Sequence, residues 1–343
     1  MLTKQKIAQT SSGEAIYLIT LVCGDFSAEI LSLGAILRTL KTPDRKGQIH
    51  DIVLGFDNPL DYLSSKAYFG QVVGRFANRI RNGVFTLDNV EYQLEKNQKE
   101  HSLHSGSSNW GWRNWHVETY EMNDCPGVVL SLFSEDGDGG FPYAVNCTVS
   151  YLLSAHGELV VQYEATASGP TPINLTNHSY FNLGGAASGT ILNHELQLSC
   201  DRYLESDDAN MVTGAILPVK GGPFDFSVRK AVGRDIEEAG GYDHCFILEK
   251  VPSKLTEFAY VYEPNTGRTM KISTTLPAVQ VYTGNSLDGT EVGKGSVQYQ
   301  KYGGICFETQ YYPDSPNHLQ FPSCIFSKEH PFSHTTVFSF GVK

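Results

Sequence analysis

The chain has 343 residues, 41% of them hydrophobic and 18% charged, with a formal net charge of −11 at pH 7. That balance describes a globular protein long enough to bury a substantial core, in one large domain or two ordinary ones. An acidic chain without clustered Lys and Arg lacks the electrostatic footprint of a nucleic-acid binder, so no nucleic-acid partner is expected.

At the amino terminus, MLTKQKIAQTSSGEAIYLITLVCG holds no apolar core followed by a small-residue cleavage site, and YLITLVC is too short to span a bilayer. A cytoplasmic protein with no membrane association is the expectation. NPLDYLSSKAYF (58–69), opened by Asn58-Pro59, carries the first helical signal. GVFTLDNVEYQL (83–94) alternates apolar and polar residues on either side of Asp88-Asn89, which predicts a hairpin. From Gly127 to Ala167, VVLSLFS, AVNCTVSYLL and ELVVQYEATA read as three strands of a meander, joined by EDGDGG and SAHG. FSVRKAVGRDIEEAGG (226–241) carries a second helical signal, closed by two glycines. With 33 glycines and 18 each of tyrosine and phenylalanine, the composition favours a β-rich fold, and a single large β domain over 1–343 is the economical organisation.

Seven cysteines, at 23, 125, 147, 200, 245, 306 and 324, are odd in number and form no CxxC pair, so reduced thiols are expected. DGDGG lacks the later spaced oxygen ligands of an EF-hand and is expected to be a turn. Without GxGxxG, GxxxxGK[ST] or HExxH, no motif calls for a dinucleotide, a nucleotide triphosphate or a metal, and no cofactor is expected; a His/His/Asp/Glu metal site assembled from separate segments stays open, without any spacing that points to it.

Chemistry concentrates in polar residues set among apolar or glycine-rich neighbours. TPINLTNHSYFNL (171–183) surrounds His178 with side-chain donors and acceptors able to fix an imidazole's tautomer. GRFANRI carries Arg75, Asn78 and Arg79; HSLHSG carries His101 and His104; GGYDHCF carries Asp243. Taken singly, these arginines could be surface ion-pair partners, the histidines loop residues and the aspartate a turn residue. Glu308 is harder to set aside, because a carboxylate inside the strand-like GICFETQ must face water, find a partner or shift its pKa. A histidine and a glutamate together can remove a proton from one oxygen and give one to another, which is what opening a hemiacetal requires.

These segments, in order with DIVLGF, QVYTGN and CFETQYYPDSPN, resemble the aldose 1-epimerases from roughly Asp51 to His334. The resemblance implies an all-β, mainly antiparallel galactose mutarotase-like β-sandwich that interconverts the α and β anomers of free hexoses such as D-galactose and D-glucose. Glu308 is implied as the general base at the anomeric hydroxyl and His178 as the general acid at the ring oxygen. His104, Asp243 and Arg75 match residues that hold sugar hydroxyls, with Asn78, Gln280 and Gln310 in the same shell. A small-molecule aldose is the implied partner of a monomer or weak homodimer, with no cofactor and no metal. Two departures concern one loop. Ser105 stands before Gly106 where the family has two glycines, and His101 stands where asparagine is frequent. Serine tolerates a positive φ less well than glycine, so the departures bear on loop conformation.

Three rivals remain at this level. A glycoside hydrolase would use Glu308 and Asp243 as its carboxyl pair. An epimerase of phosphorylated hexoses would need added basic residues at the pocket mouth. A sugar-binding protein would keep the pocket without turnover.

Overall fold

The computed structural model describes residues 1–248 and 254–343. The meander forms as its alternation demands: in Val145–Leu153 every second residue is buried, from Val145 to Leu153, while the residues between them lean outward. Cys125–Ser134 and Glu158–Ala167 flank it in antiparallel register. His116–Met122 extends this sheet on one side; on the other Phe332–Val342 pairs with Glu158–Ala167 and Arg268–Thr274, and Thr256–Tyr262, Glu195–Leu198 and Lys230–Ala231 follow. The last of the described strands in sequence thus lies in the middle of a nine-stranded sheet.

A second, six-stranded antiparallel sheet runs in the order Tyr180–Phe181, Ile305–Gln310, Ala278–Tyr282, Asp243–Ile247, Arg202–Ser206 and Val212–Pro218. Its inner face, with Phe246, Val279, Val281, Ile305 and Phe307, shares one buried cluster with Val149, Tyr151 and Tyr163 of the larger sheet. Leu21, Ile30, Leu37 and Leu40, from a five-stranded amino-terminal sheet, join the same cluster. Each fully buried aliphatic or Phe side chain in such a core contributes about 1.5–3 kcal/mol, so the apolar face holds the smaller sheet firmly in place. Its other face, left free to carry polar groups, builds the site.

The hairpin forms with Phe85 opposite Tyr92, their rings stacked at 5.2 Å, and with Asp88 and Asn89 at φ 52° and 63°, the left-handed pair that a tight two-residue turn requires. The EDGDGG segment is a turn as expected: Asp138 accepts hydrogen bonds from Arg113 and Ser134, which commits its oxygens to the protein. All seven cysteines are free.

Both expected helices are absent. Residues 58–69 hold only the 3₁₀ turn Asp61–Leu63, because Asn58 and Ser64 bond locally to Asp61 and compete with a helical backbone. In 226–241, Lys230–Ala231 adds to the edge of the large sheet beside Glu195–Leu196, and Val232 N–H donates to His194. Tertiary pairing overrides the local helical pattern there. No helix among the described residues is long and apolar enough to cross a membrane.

Candidate active site

A pocket of about 490 Å³ opens over the outer face of the six-stranded sheet. Period-two geometry supplies its floor: Gln280 lies opposite Glu308 in the antiparallel register, and Asp243 opposite Tyr282, so all four project from the same face. His178 arrives from above, between the short pairs Thr176–Asn177 with Val72–Val73 and Tyr180–Phe181 with Ile305–Cys306. Its backbone is fixed on both sides, its N–H donating to Gln71 at 2.8 Å and its carbonyl accepting from Gly70 at 2.9 Å. The imidazole stacks on Tyr180 at 5.2 Å, and its Nε2 lies 3.5 Å from Glu308 Oε1.

Asn78 and His104 form a reciprocal pair. His104 N–H donates to the Asn78 carbonyl at 3.0 Å, and Asn78 N–H donates to His104 Nδ1 at 3.1 Å. Both residues are left-handed, with φ 67° and 52°. The next residue, Ser105, is left-handed too, at φ 63°; its hydroxyl accepts from Phe76 N–H at 2.9 Å and donates to the Phe76 carbonyl at 3.3 Å. That pair of bonds offsets the strain a serine incurs where glycine is easier. His101 lies outside the pocket lining, where its Nδ1 accepts from Asn82 N–H at 3.1 Å.

Six of the eight expected site residues, Glu308, His178, Asn78, His104, Asp243 and Gln280, line this pocket. Arg75 does not. Its guanidinium donates to the Pro142, Tyr143 and Glu135 carbonyls and to Ser134 Oγ, clamping the turn around EDGDGG. Arg79, four residues on, is the arginine of the pocket: its Nε donates to Gln98 Oε1 at 2.6 Å and its NH2 lies 3.8 Å from Asp243 Oδ2. Gln310 also falls outside the lining. It is fully buried two residues beyond Glu308 on the same strand face. Sequence reasoning missed Tyr180, Tyr282 and Tyr68 as lining residues, although Tyr180 stands two residues from His178 in NHSYFNL.

Burial governs the electrostatics. It pushes the Glu308 carboxyl well above the usual carboxylate range, with Asp243 adding to the rise and Arg79 opposing it. It pulls the His178 imidazole down to about 4, against its own main-chain carbonyl and Asp243. His104 is driven well below its ordinary value by burial, then by His178 and Arg79, and is neutral at pH 7. Among the lining residues two buried oxygens have no hydrogen-bond partner in the protein, Glu308 Oε2 and Gln280 Oε1, while Gln280 Nε2 donates to Asp243 Oδ1 at 2.6 Å. Unpaired buried acceptors of this kind are costly unless a ligand hydroxyl meets them.

His104, His178 and Glu308 each bring a ligating atom within 4.8 Å of the others, spacing that invites a metal. The hydrogen bonding argues otherwise. Because His104 Nδ1 accepts from Asn78 N–H, the neutral ring carries its proton on Nε2, whereas a ligating imidazole keeps a lone pair for the metal and donates through its other nitrogen. The set suits the hydroxyl and ether oxygens of a sugar.

The model of one family, aldose 1-epimerase, matches residues 17–339. The chain belongs to the aldose 1-epimerase family. It is an isomerase, and its reaction is the interconversion of aldose anomers. This aldose 1-epimerase is 41% identical to the galactose mutarotase of Rattus norvegicus over 335 residues, 97% of this chain and 96% of the relative. It is 34% identical to the aldose 1-epimerase of Escherichia coli K12, with 91% of each chain covered. Among solved structures, the aldose epimerase homologue of C. elegans superposes with a TM-score of 0.88 at 29% identity, covering 95% of this chain and 98% of its own. The galactose 1-epimerase of Lactobacillus acidophilus does so with a TM-score of 0.86 at 26% identity, covering 100% and 99%.

Proposed function

We propose that this aldose 1-epimerase acts on free hexoses such as D-galactose and D-glucose, with Glu308 as general base and His178 as general acid. The observation that carries the proposal is the 3.5 Å approach of His178 Nε2 to Glu308 Oε1 at the floor of one polar pocket. Glu308 removes the proton of the anomeric hydroxyl, the bond from the anomeric carbon to the ring oxygen breaks, and His178 protonates the departing oxygen. The aldehyde then turns about the bond between its first two carbons. The former ring hydroxyl attacks the other face, returning its proton to His178 while Glu308 reprotonates the new anomeric hydroxyl. Each positioned acid or base contributes about 10²- to 10⁴-fold.

The working pair carries one proton in total. With two protons it is cationic and with none it is anionic, and burial disfavours both of those forms. The neutral carboxylic acid with neutral imidazole and the carboxylate with imidazolium are two arrangements of the same proton count. Acid therefore stops turnover by adding a second proton and base by removing the only one, giving a bell-shaped profile with a broad top around neutrality.

His104, Arg79, Asn78, Gln280 and Asp243 supply donors and acceptors for the remaining hydroxyls. Asp243 is tied to Gln280 and Arg79, which suits a hydroxyl acceptor better than the second carboxyl of a glycoside hydrolase. Lys66 and Arg79 are the cations of the lining, and Arg79 is engaged by Gln98 and Asp243, which places phosphorylated hexoses below free ones. Three sheets sharing one core support reading 1–343 as one β-sandwich unit, and seven free thiols support a reducing, cytoplasmic compartment.

Polarimetry on freshly dissolved α-D-galactose and α-D-glucose tests the proposal. The wild-type chain is expected to speed the decay of optical rotation over buffer, and His178→Ala to lose about 10²- to 10⁴-fold of that rate. Full activity in His178→Ala sinks the acid assignment.

A further inference from the structure

The proton cycle places a demand on the far edge of the His178 ring. Each time Nε2 releases its proton to the ring oxygen, the neutral imidazole must carry its remaining proton on Nδ1, and Nδ1–H then needs an acceptor. In hydrolases built on a histidine that acceptor is a carboxylate, which holds the ring and stabilises its charged form. Here the side chain at Nδ1 is a thiol, Cys306 Sγ at 3.7 Å, set beside the histidine's own main-chain carbonyl.

Cys306 is fully buried, and its strand runs Ile305–Gln310 with Glu308 two residues on, so one face of one strand carries both the thiol and the base. Cys306 pairs with Tyr180 on one side and Tyr282 on the other, and the Tyr180 ring stacks on the imidazole at 5.2 Å with an interplanar angle of 29°. The ring is thus held by its stacked face, by its backbone and, at Nδ1, by sulfur.

We propose that Cys306 is a positioning residue for His178: its sulfur receives Nδ1–H, fixes the tautomer that leaves Nε2 free to exchange a proton, and directs Nε2 at Glu308 and the pocket. The proposal rests on His178 being the acid. Burial keeps the thiol protonated at neutral pH, so the acceptor is neutral sulfur and not thiolate. Neutral sulfur is a weak acceptor and does little to stabilise an imidazolium, so the ring stays a strong acid, in contrast to a ring backed by carboxylate. The other titratable or charged groups facing His178 are Glu308, Asp243, His104 and the phenols of Tyr68, Tyr180 and Tyr282.

The test compares Cys306→Ala and Cys306→Ser with wild type in the full chain, by polarimetric kcat and KM for D-galactose across pH. Long-range ¹H–¹⁵N spectra of the histidine rings, assigned by difference with His178→Ala, report the tautomer. Losing one hydrogen bond of ordinary strength predicts a roughly 3- to 10-fold fall in kcat for Cys306→Ala with KM within about 2-fold, and a His178 shift away from the Nδ1–H form. Serine is the stronger acceptor, so Cys306→Ser should restore most of kcat and move the histidine limb of the pH profile upward. Unchanged kcat, pH profile and ring spectrum in Cys306→Ala overturns the proposal. So does a loss of kcat that matches a loss of thermal stability, with no change in tautomer and no recovery in the serine variant. Activity retained in His178→Ala marks failure of the acid assignment itself, a different outcome from either.

Discussion

Two strands of this molecule, Val145–Leu153 and Ile305–Gln310, show how differently a β-strand can be used. The first alternates between buried and more exposed residues, with core on one side only. The second is buried at all six positions, and its two faces differ in chemistry: Ile305 and Phe307 enter the core, while Cys306, Glu308 and Gln310 point the other way. A strand covered on both sides is usually apolar on both. Where one of its faces is polar instead, the cost of burying those groups has to be met by function, and this strand carries the proposed base.

The comparison breaks most sharply at Glu308. Glu308→Gln is expected to lower kcat by about 10²- to 10⁴-fold while sugar binding and thermal stability stay near wild type, because an amide keeps the shape and cannot take the proton. Leu153→Ala, on the alternating strand, should do the reverse: about 2–5 kcal/mol of stability lost in denaturant titration, with kcat per folded molecule unchanged. If Glu308→Gln unfolds the chain and keeps its specific activity, the division of labour between the strands is wrong.

Arginines sharpen it at smaller scale. Arg75→Ala removes four hydrogen bonds to the Ser134–Tyr143 turn and is expected to cost roughly 2–4 kcal/mol of stability with KM little changed. Arg79→Ala should leave the fold intact and raise KM for D-galactose about 10-fold. Equal KM effects from the two would return Arg75 to the site. The smallest change is Ser105→Gly, where relief of the left-handed backbone and loss of the two Phe76 bonds nearly cancel, within about 1 kcal/mol by thermal melts.

What was legible of the fold followed from period two. The meander and the hairpin at Asp88-Asn89 lie on alternating segments whose faces are set by local geometry, whereas Gln280 was reached through the family resemblance and Glu308 through that resemblance and the oddity of a carboxylate in a strand-like run. The absence of the two expected helices was not legible: local bonds to Asp61 limit 58–69 to one 3₁₀ turn, and the edge strand Glu195–Leu198, distant in sequence, claimed Lys230–Ala231. Arg75 and Arg79 sit four apart in GRFANRI and look alike locally; which one enters the pocket depends on carbonyls nearly seventy residues further on. Cys306 had a signal, since it stands two residues before Glu308, but a cysteine in an apolar run reads as core until the histidine is seen beside it.

The placement of Phe332–Val342 in the middle of the large sheet has a consequence for how the protein is made. During synthesis the two halves of that sheet emerge from the ribosome with a gap between them, and neither can be sealed until the chain has been translated through Val342. The proposed acid at 178 likewise waits for a proposed base supplied 130 residues later, so a stalled nascent chain is expected to be inert toward sugar and exposes open strand edges to its neighbours. Expression should therefore be sensitive to changes within this strand even though it contributes nothing to the pocket lining.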